Sequence, residues 1–211
     1  SVAIEPLPRV LQEYRRRYPG IDISLHDGRA GEIRQWVSAA EVDFAITSAA
    51  DDLGALDFQP LYDDSLVLLV RGQEHLRGKA LLAALREQDY IATTRDTSLR
   101  GMADETLLRM GLQRDPAWEV AYMSSAAALA RAGLGFALLP ASVADTFNSD
   151  GSLAVHVLSQ APARSIGLLQ RKPCYLSPPA QAFIALLRQQ VGDAQGLSAP
   201  LDSRDNRPPI K

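Results

Sequence analysis

ARAGLGFALLP, residues 130–140, sets two glycines between an alanine-rich run and a short apolar run that ends in proline. Paired glycines of this kind either cradle a phosphate or turn the chain. A dinucleotide-binding loop follows a strand and opens a helix; here the helix-forming run comes first and the apolar run last. The order therefore predicts a turn, with Gly133 as the left-handed stop of a helix over 125–132 and Gly135 as a small residue entering a strand over 136–139. The ligand end of such a unit is its opposite end, at Ser124 and Ser125, where a strand would hand over to the helix.

Upstream, the same grammar repeats. SLVLLVR, 65–71, is a continuous apolar strand, followed by a helix near 79–87 and a strand YIAT at 90–93. A polar loop, TTRDTSLRG, then opens a helix carrying Met102, Leu107, Leu108 and Met110. Gly111 and Pro116 bracket a turn before WEVAYM, 118–123, which alternates like a strand. In the first half, Leu7, Val10, Leu11, Tyr14 and Tyr18 fall three and four apart within 6–18, one face of a helix that Pro19-Gly20 stops. Ile21, Ile23 and Leu25 alternate with polar residues as a half-buried strand, and VAI at 2–4 reads as the strand before the helix. HDGRAGE, 26–32, reads as a loop into a second helix with Ile33, Trp36, Val37 and Ala40 inward, and VDFAIT, 42–47, as the next strand.

Strand and helix alternate in both halves, which predicts two similar α/β lobes, each with a largely parallel sheet covered by helices. SIGLLQR, 165–171, returns the chain to the first lobe, and a helix over 178–191 buries Phe183, Leu186 and Leu187. The expected organisation is lobe I from 1–64 plus 170–195, lobe II from 65–169, and a disordered tail at 196–211, where Ser, Asp, Arg and Pro accumulate.

With 211 residues, 46% of them hydrophobic, the chain can bury a substantial core. Its net charge of −3 argues against a nucleic-acid footprint on these residues. A single cysteine, Cys174, rules out an internal disulfide and fits a reducing compartment, so a cytoplasmic location is expected. No apolar run approaches a membrane span. Walker, G-x-S-x-G and H-E-x-x-H motifs are absent, His26, His75 and His156 lie far apart and read as surface or loop residues, and Asp51-Asp52 and Asp63-Asp64 read as solvated loop pairs. No enzyme activity, cofactor or metal is expected.

PRVLQEYRRRYPGIDISL, IRQWVSAAEVDFAIT, FQPLYDDSLVLLV and ALARAGLGFALLP, in this order and spacing, resemble the effector-binding domain of LysR-type transcriptional regulators over residues 2–187. The resemblance implies a fold like the type 2 periplasmic binding proteins: two Rossmann-like lobes hinged by two crossing strands, with a small effector between them. It also implies a winged helix-turn-helix ahead of this domain as the DNA-contacting part. Residues 2–4 already read as the lobe's first strand, so an excised domain is expected, with a natural stand-alone relative as the other reading. A homodimer or tetramer follows, in which residues 6–25 pack against residues 101–122 of a partner. A periplasmic solute receptor of the same fold is the alternative.

Ligands in open α/β sheets bind beyond the carboxyl ends of strands, beside helix N-termini that favour anions. A carboxylate or other small organic anion is therefore the expected ligand. The loops this rule selects contain Glu5, Arg29 and Ala30, Thr93, Thr94, Ser98 and Arg100, and Ser124 and Ser125. The resemblance implies Ser or Thr hydroxyls in the first two loops; this chain has EPLP with Glu5 in one and Ala30 in the other. Arg29 could replace the hydroxyl with a charge-assisted contact, or stand as a solvated loop charge. Thr97 or Ser98 is expected to cap its helix, as is one of Ser124 and Ser125.

Overall fold

One strand carries the chain from lobe to lobe. In the computed structural model, which describes residues 1–197 except 5, 50, 51, 73, 96, 159, 160 and 174, with side chains described to residue 192, β2 (Leu56–Arg71) is 16 residues long. Its first part pairs antiparallel with β7 (Ala163–Arg171), from Leu56 opposite Arg171 to Ser65 opposite Ala163. Its second part runs between β5 (Phe136–Pro140) and β6 (Leu153–Val157), both antiparallel to it. Leu66, Leu68 and Val70 enter one core, with Leu81, Leu85, Tyr90 and Leu107, while Val67 and Leu69 enter another on the opposite face, with Ile91, Ala126, Ala130 and Phe147. Layers on both faces are why SLVLLVR is continuously apolar rather than alternating. Each fully buried side chain there contributes about 1.5–3 kcal/mol of hydrophobic stabilisation.

Lobe II follows the expected alternation from β2 to β5, but its sheet is mixed rather than largely parallel, because β2 runs antiparallel to both β5 and β6, and β6 is a strand the sequence reading did not include. β3 (Tyr90–Thr93) lies parallel to β4 (Trp118–Val120) and β5, giving the order β4-β3-β5-β2-β6. α3 (Gly78–Arg86), α4 (Ser98–Arg109), α5 (Met123–Arg131) and a short α6 (Ala144–Phe147) cover it. After α5 the chain turns as the sequence predicts. Gly133 has φ +80°, its N–H bonds Ala130 O at 2.9 Å, and Leu134 N–H bonds Leu129 O at 3.1 Å, the paired bonds of a Schellman stop. Gly135 enters β5 at φ +144°, where an added Cβ would lie 2.2 Å from the backbone O of Asp89.

Lobe I departs from expectation. β1 (Ala45–Ser48) pairs antiparallel with β7, so the only parallel pairs among the described residues are in lobe II. Residues 2–4 form a turn closed by Ile4 N–H to Ser1 O, and residues 21–25 form no strand. Alternation specifies which side chains share a face; it does not supply the neighbouring backbone that makes a ladder. Ile21, Ile23 and Leu25 are consequently 36%, 38% and 55% exposed. The helices are as read: α1 (Leu7–Arg17) buries Leu7, Val10 and Tyr14 against Phe183 and Leu187 of α7 (Pro178–Leu197), leaving Tyr18 exposed. α2 (Ala30–Ser38) buries Val37, but Ala40 lies beyond its end, exposed and at φ +61°. α7 continues through Leu197, past the expected start of the tail. Glu5, Asp51, Cys174 and residues 198–211 lie outside the described residues.

Candidate functional site

The parallel strands of lobe II all end at the edge where β2 and β7 cross. Pro140 closes β5 opposite Leu66 of β2, and Thr93 closes β3 one strand further out, in register by the pairing of Tyr90 with Phe136. Two strand spacings, about 10 Å, thus separate the end of β3 from β2. β5 lies between them, and the sequence-selected Thr93 and Thr94 fall at the end of β3.

Thr93 is buried, with its hydroxyl 3.0 Å from that of Thr97. Thr97 is the N-cap of α4, accepting from Arg100 N–H at 3.3 Å and donating to Thr94 O at 2.9 Å. Ser98, its rival for that role, is exposed in the first turn. The Thr94 hydroxyl is buried and has no hydrogen-bond partner among the described residues. The Arg100 side chain is only 5% exposed, and its guanidinium is committed inside the lobe. It donates from Nε to both Asp104 oxygens at 3.0 and 2.8 Å, and from a terminal nitrogen to Glu119 at 2.6 Å and Thr93 O at 3.3 Å. Asp104 also accepts from the Tyr90 hydroxyl at 3.3 Å, so Arg100 ties β3, α4 and β4 together.

At the other loops the helix N-termini are partly served already. Arg29 is the exposed N-cap of α2 and Ala30 its first residue; the Glu32 carboxylate accepts from Arg29 N–H at 2.8 Å. Ser124 and Ser125 lie in the first turn of α5, Ser124 exposed and Ser125 half-buried. Neither caps the helix: its N-cap is Tyr122, which has no side-chain oxygen near the first amides. Expected caps and actual caps differ here because the helix starts two residues earlier than the alanine run suggests.

The crossing itself holds a polar cluster that the sequence reading passed over. Asp63 is exposed, but Asp64 is 3% exposed and sits on β2 directly opposite Arg164 on β7. One Asp64 oxygen accepts from Ser142 N–H at 3.1 Å; the other accepts from the Ser142 hydroxyl and the Arg164 guanidinium, both at 2.8 Å. Arg164 donates also to the Ser1 hydroxyl. Its Nε has no partner among the described residues, nor does the hydroxyl of Tyr62, two residues before Asp64. Burial pushes the Tyr62 phenol up to about 12, with the Asp64 carboxylate adding to the shift and Arg164 opposing it. Asp27, in the loop before α2, lies within electrostatic reach of Ser1, so that loop converges on the same place. The signal available in the sequence was one opposite charge beside each interlobe strand, Asp64 before SLVLLVR and Arg164 before SIGLLQR.

Among the described residues no three His, Cys, Asp or Glu side chains gather as a metal site. His26 and His75 are exposed, but His156 is 5% exposed on β6, 3.4 Å from an Arg77 nitrogen, contrary to its reading as a surface residue. An open depression of about 410 Å³ lies over α4, lined by Arg95, Asp104, Leu108 and Arg114.

A family model described as the LysR substrate binding domain matches residues 1–192. The chain is 26% identical over 183 residues to the HTH-type transcriptional regulator YbhD of Escherichia coli K12, covering 86% of this chain and 58% of YbhD. The first three curated relatives are spanned over 58–62% of their length. Among solved structures, HinK, a LysR family transcriptional regulator of Pseudomonas aeruginosa, superposes with a TM-score of 0.77 at 22% identity, covering 92% of this chain and 68% of that one. The CcmR regulatory domain of Synechocystis PCC6803, solved in complex with 2-PG, gives 0.75 at 23% identity, covering 88% and 90%.

Proposed function

This chain belongs to the LysR substrate-binding domain family, and on that premise we propose that it is the effector-sensing domain of a transcriptional regulator, holding a small organic anion between its lobes. The observation that carries the reading is the polar cluster at the strand crossing, the Asp64–Arg164 pair with the buried Tyr62 hydroxyl lacking a partner among the described residues; the buried Thr94 hydroxyl, also without one, lies beyond the end of β3. Buried polar groups are ordinarily paired, so their concentration where two lobes meet favours a ligand site. The family match favours the regulator over a periplasmic solute receptor, and regulators of this family are not an enzyme class. Of the expected lobe limits, 1–64 with 170–195 and 65–169, the change of β2 from β7 pairing to β5 pairing between Ser65 and Leu66 supports the first; on the return, β7 pairs with β1 and the first part of β2 from Ala163 onward, which favours a limit near 163 rather than 170.

The mechanism is a population shift. An effector touching both lobes stabilises one relative orientation by its differential affinity, and only that difference can alter DNA binding. DNA contact falls to a helix-turn-helix module of the kind the relatives' names carry, and the regulator works in the cytoplasm as a homodimer or tetramer. The exposure of Ile21, Ile23 and Leu25 on one segment, and of Leu108, Trp118 and Tyr122 on another, supports pairing of residues 6–25 with residues 101–122 of a second copy. Trp118→Asp should shift the molar mass in light scattering toward the monomer; a monomeric parent chain at high concentration would reject this arrangement.

The effector reading is tested by thermal-shift screening against carboxylates, amino acids and aromatic acids. A ligand at a hundredfold excess over its Kd adds about 2.7 kcal/mol, which raises the Tm of a domain this size by about 5–10 °C. Thr94→Ala should reduce that rise. A hit whose shift is indifferent to Thr94 and to the crossing residues counts against this cleft.

A further inference from the structure

We propose that Tyr62 and Arg164 form a two-donor seat for a single carboxylate of the effector, so that the anion is held by the crossing strands rather than by the loops at the helix N-termini. The inference rests on the effector reading above and specifies its anchoring chemistry.

Tyr62 and Asp64, two apart on β2, share a face, and Arg164 lies on that face directly opposite Asp64. Tyr62 is opposite Ile166, which puts it diagonal to Arg164, a separation within reach of long side chains. The two are close enough for Arg164 to influence the titration of the Tyr62 hydroxyl. On this face the phenol O–H and the guanidinium Nε–H are both buried and both without an acceptor among the described residues.

Asp64 does not serve them. Its two oxygens already receive the Ser142 N–H, the Ser142 hydroxyl and a terminal Arg164 nitrogen. The guanidinium is a donor only, and a buried donor left unmade is costly. A carboxylate presents two oxygens to two donors, and a guanidinium edge favours that planar geometry. Asp64 has a second role here: its ion pair fixes Arg164 in place before any ligand arrives.

The test is an acetate titration of the 211-residue chain, with sodium chloride at matched ionic strength and acetamide as the neutral counterpart. The arginine Nε–H resonances are followed by NMR alongside Tm. Acetate should move one protected resonance, assigned to Arg164 by its absence in Arg164→Lys, and acetamide should act much more weakly. Tyr62→Phe removes an oxygen with no partner among the described residues, so it should fold normally while weakening acetate binding at least about tenfold. The proposal is overturned if acetate leaves the Arg164 resonance in place, if acetamide matches acetate, or if Tyr62→Phe binds acetate as the parent does. The effector reading fails separately, when no compound of the wider screen raises Tm.

Discussion

Replacing Asp64 with Ala removes three hydrogen bonds at once and leaves the Arg164 guanidinium without its counter-charge. The Asp64 and Arg164 side chains are 2% and 11% exposed, so water does not take over the lost interaction. An uncompensated buried charge of this kind costs about 3–5 kcal/mol. For a domain of this size each kcal/mol moves Tm by about 2–4 °C, so a fall of about 6–20 °C is expected. The double variant Asp64→Ala/Arg164→Met removes the stranded charge as well and should recover most of the loss. Urea denaturation of parent, both singles and the double, followed by circular dichroism, closes the cycle. A loss under about 1 kcal/mol in the single variant, or a double no better than its worse single, would refute the claim that the pair is buried and coupled.

Three further outcomes follow from local geometry. Ala40 occupies the left-handed position after α2, with its N–H on Val37 O and Glu41 N–H on Trp36 O, the Schellman arrangement with the wrong residue. Ala40→Gly should therefore stabilise by about 0.5–1 kcal/mol in a urea titration, the relief of left-handed strain exceeding the extra entropy of glycine in the unfolded chain. Gly135→Ala would drive a Cβ into Asp89 O and should cost more than about 4 kcal/mol, whereas Gly133→Ala, whose nearest neighbour is the flexible Arg71 side chain at 3.7 Å, should cost about 1–2 kcal/mol; equal midpoints for the two would contradict the packing at β5. Finally, burial raises Tyr62 from its ordinary 10 to about 12. The folded state holds this proton more tightly, so the corresponding stability is intact below pH 10 and falls as pH rises toward 12, by about 2–3 kcal/mol in total. Tyr62→Phe should flatten that alkaline decline, and an unchanged slope in urea midpoints from pH 9 to 11.5 would remove Tyr62 as its source.

How much of this was legible depends on how local each feature is. The turn at Gly133 was legible because a helix stop is written in a few consecutive residues and their backbone preferences. α1, α4 and α7 were legible because one amphipathic face repeats within each segment, and β2 because an apolar run with layers on both faces has no polar side. Thr93 and Thr94 lie at the carboxyl end of β3, as the strand reading of YIAT and the polar loop after it implied. The caps of α5 and the end of α2 were less legible, since alanine runs extend past the boundaries that packing chooses.

The sequence by itself determined the helices, the run from β2 to β5 in lobe II, the motif order that carries the family, and the stops between elements. Only the tertiary structure decided which strands find partners and which polar residues lose water. Ile21, Ile23 and Leu25 have the period of a strand without the ladder, and Asp64 has the look of a solvated loop acid while Arg164, a hundred positions on, desolvates and binds it. Periodicity and capping depend on neighbours along the chain, whereas pairing and burial depend on neighbours that only the closed fold brings within a few ångströms.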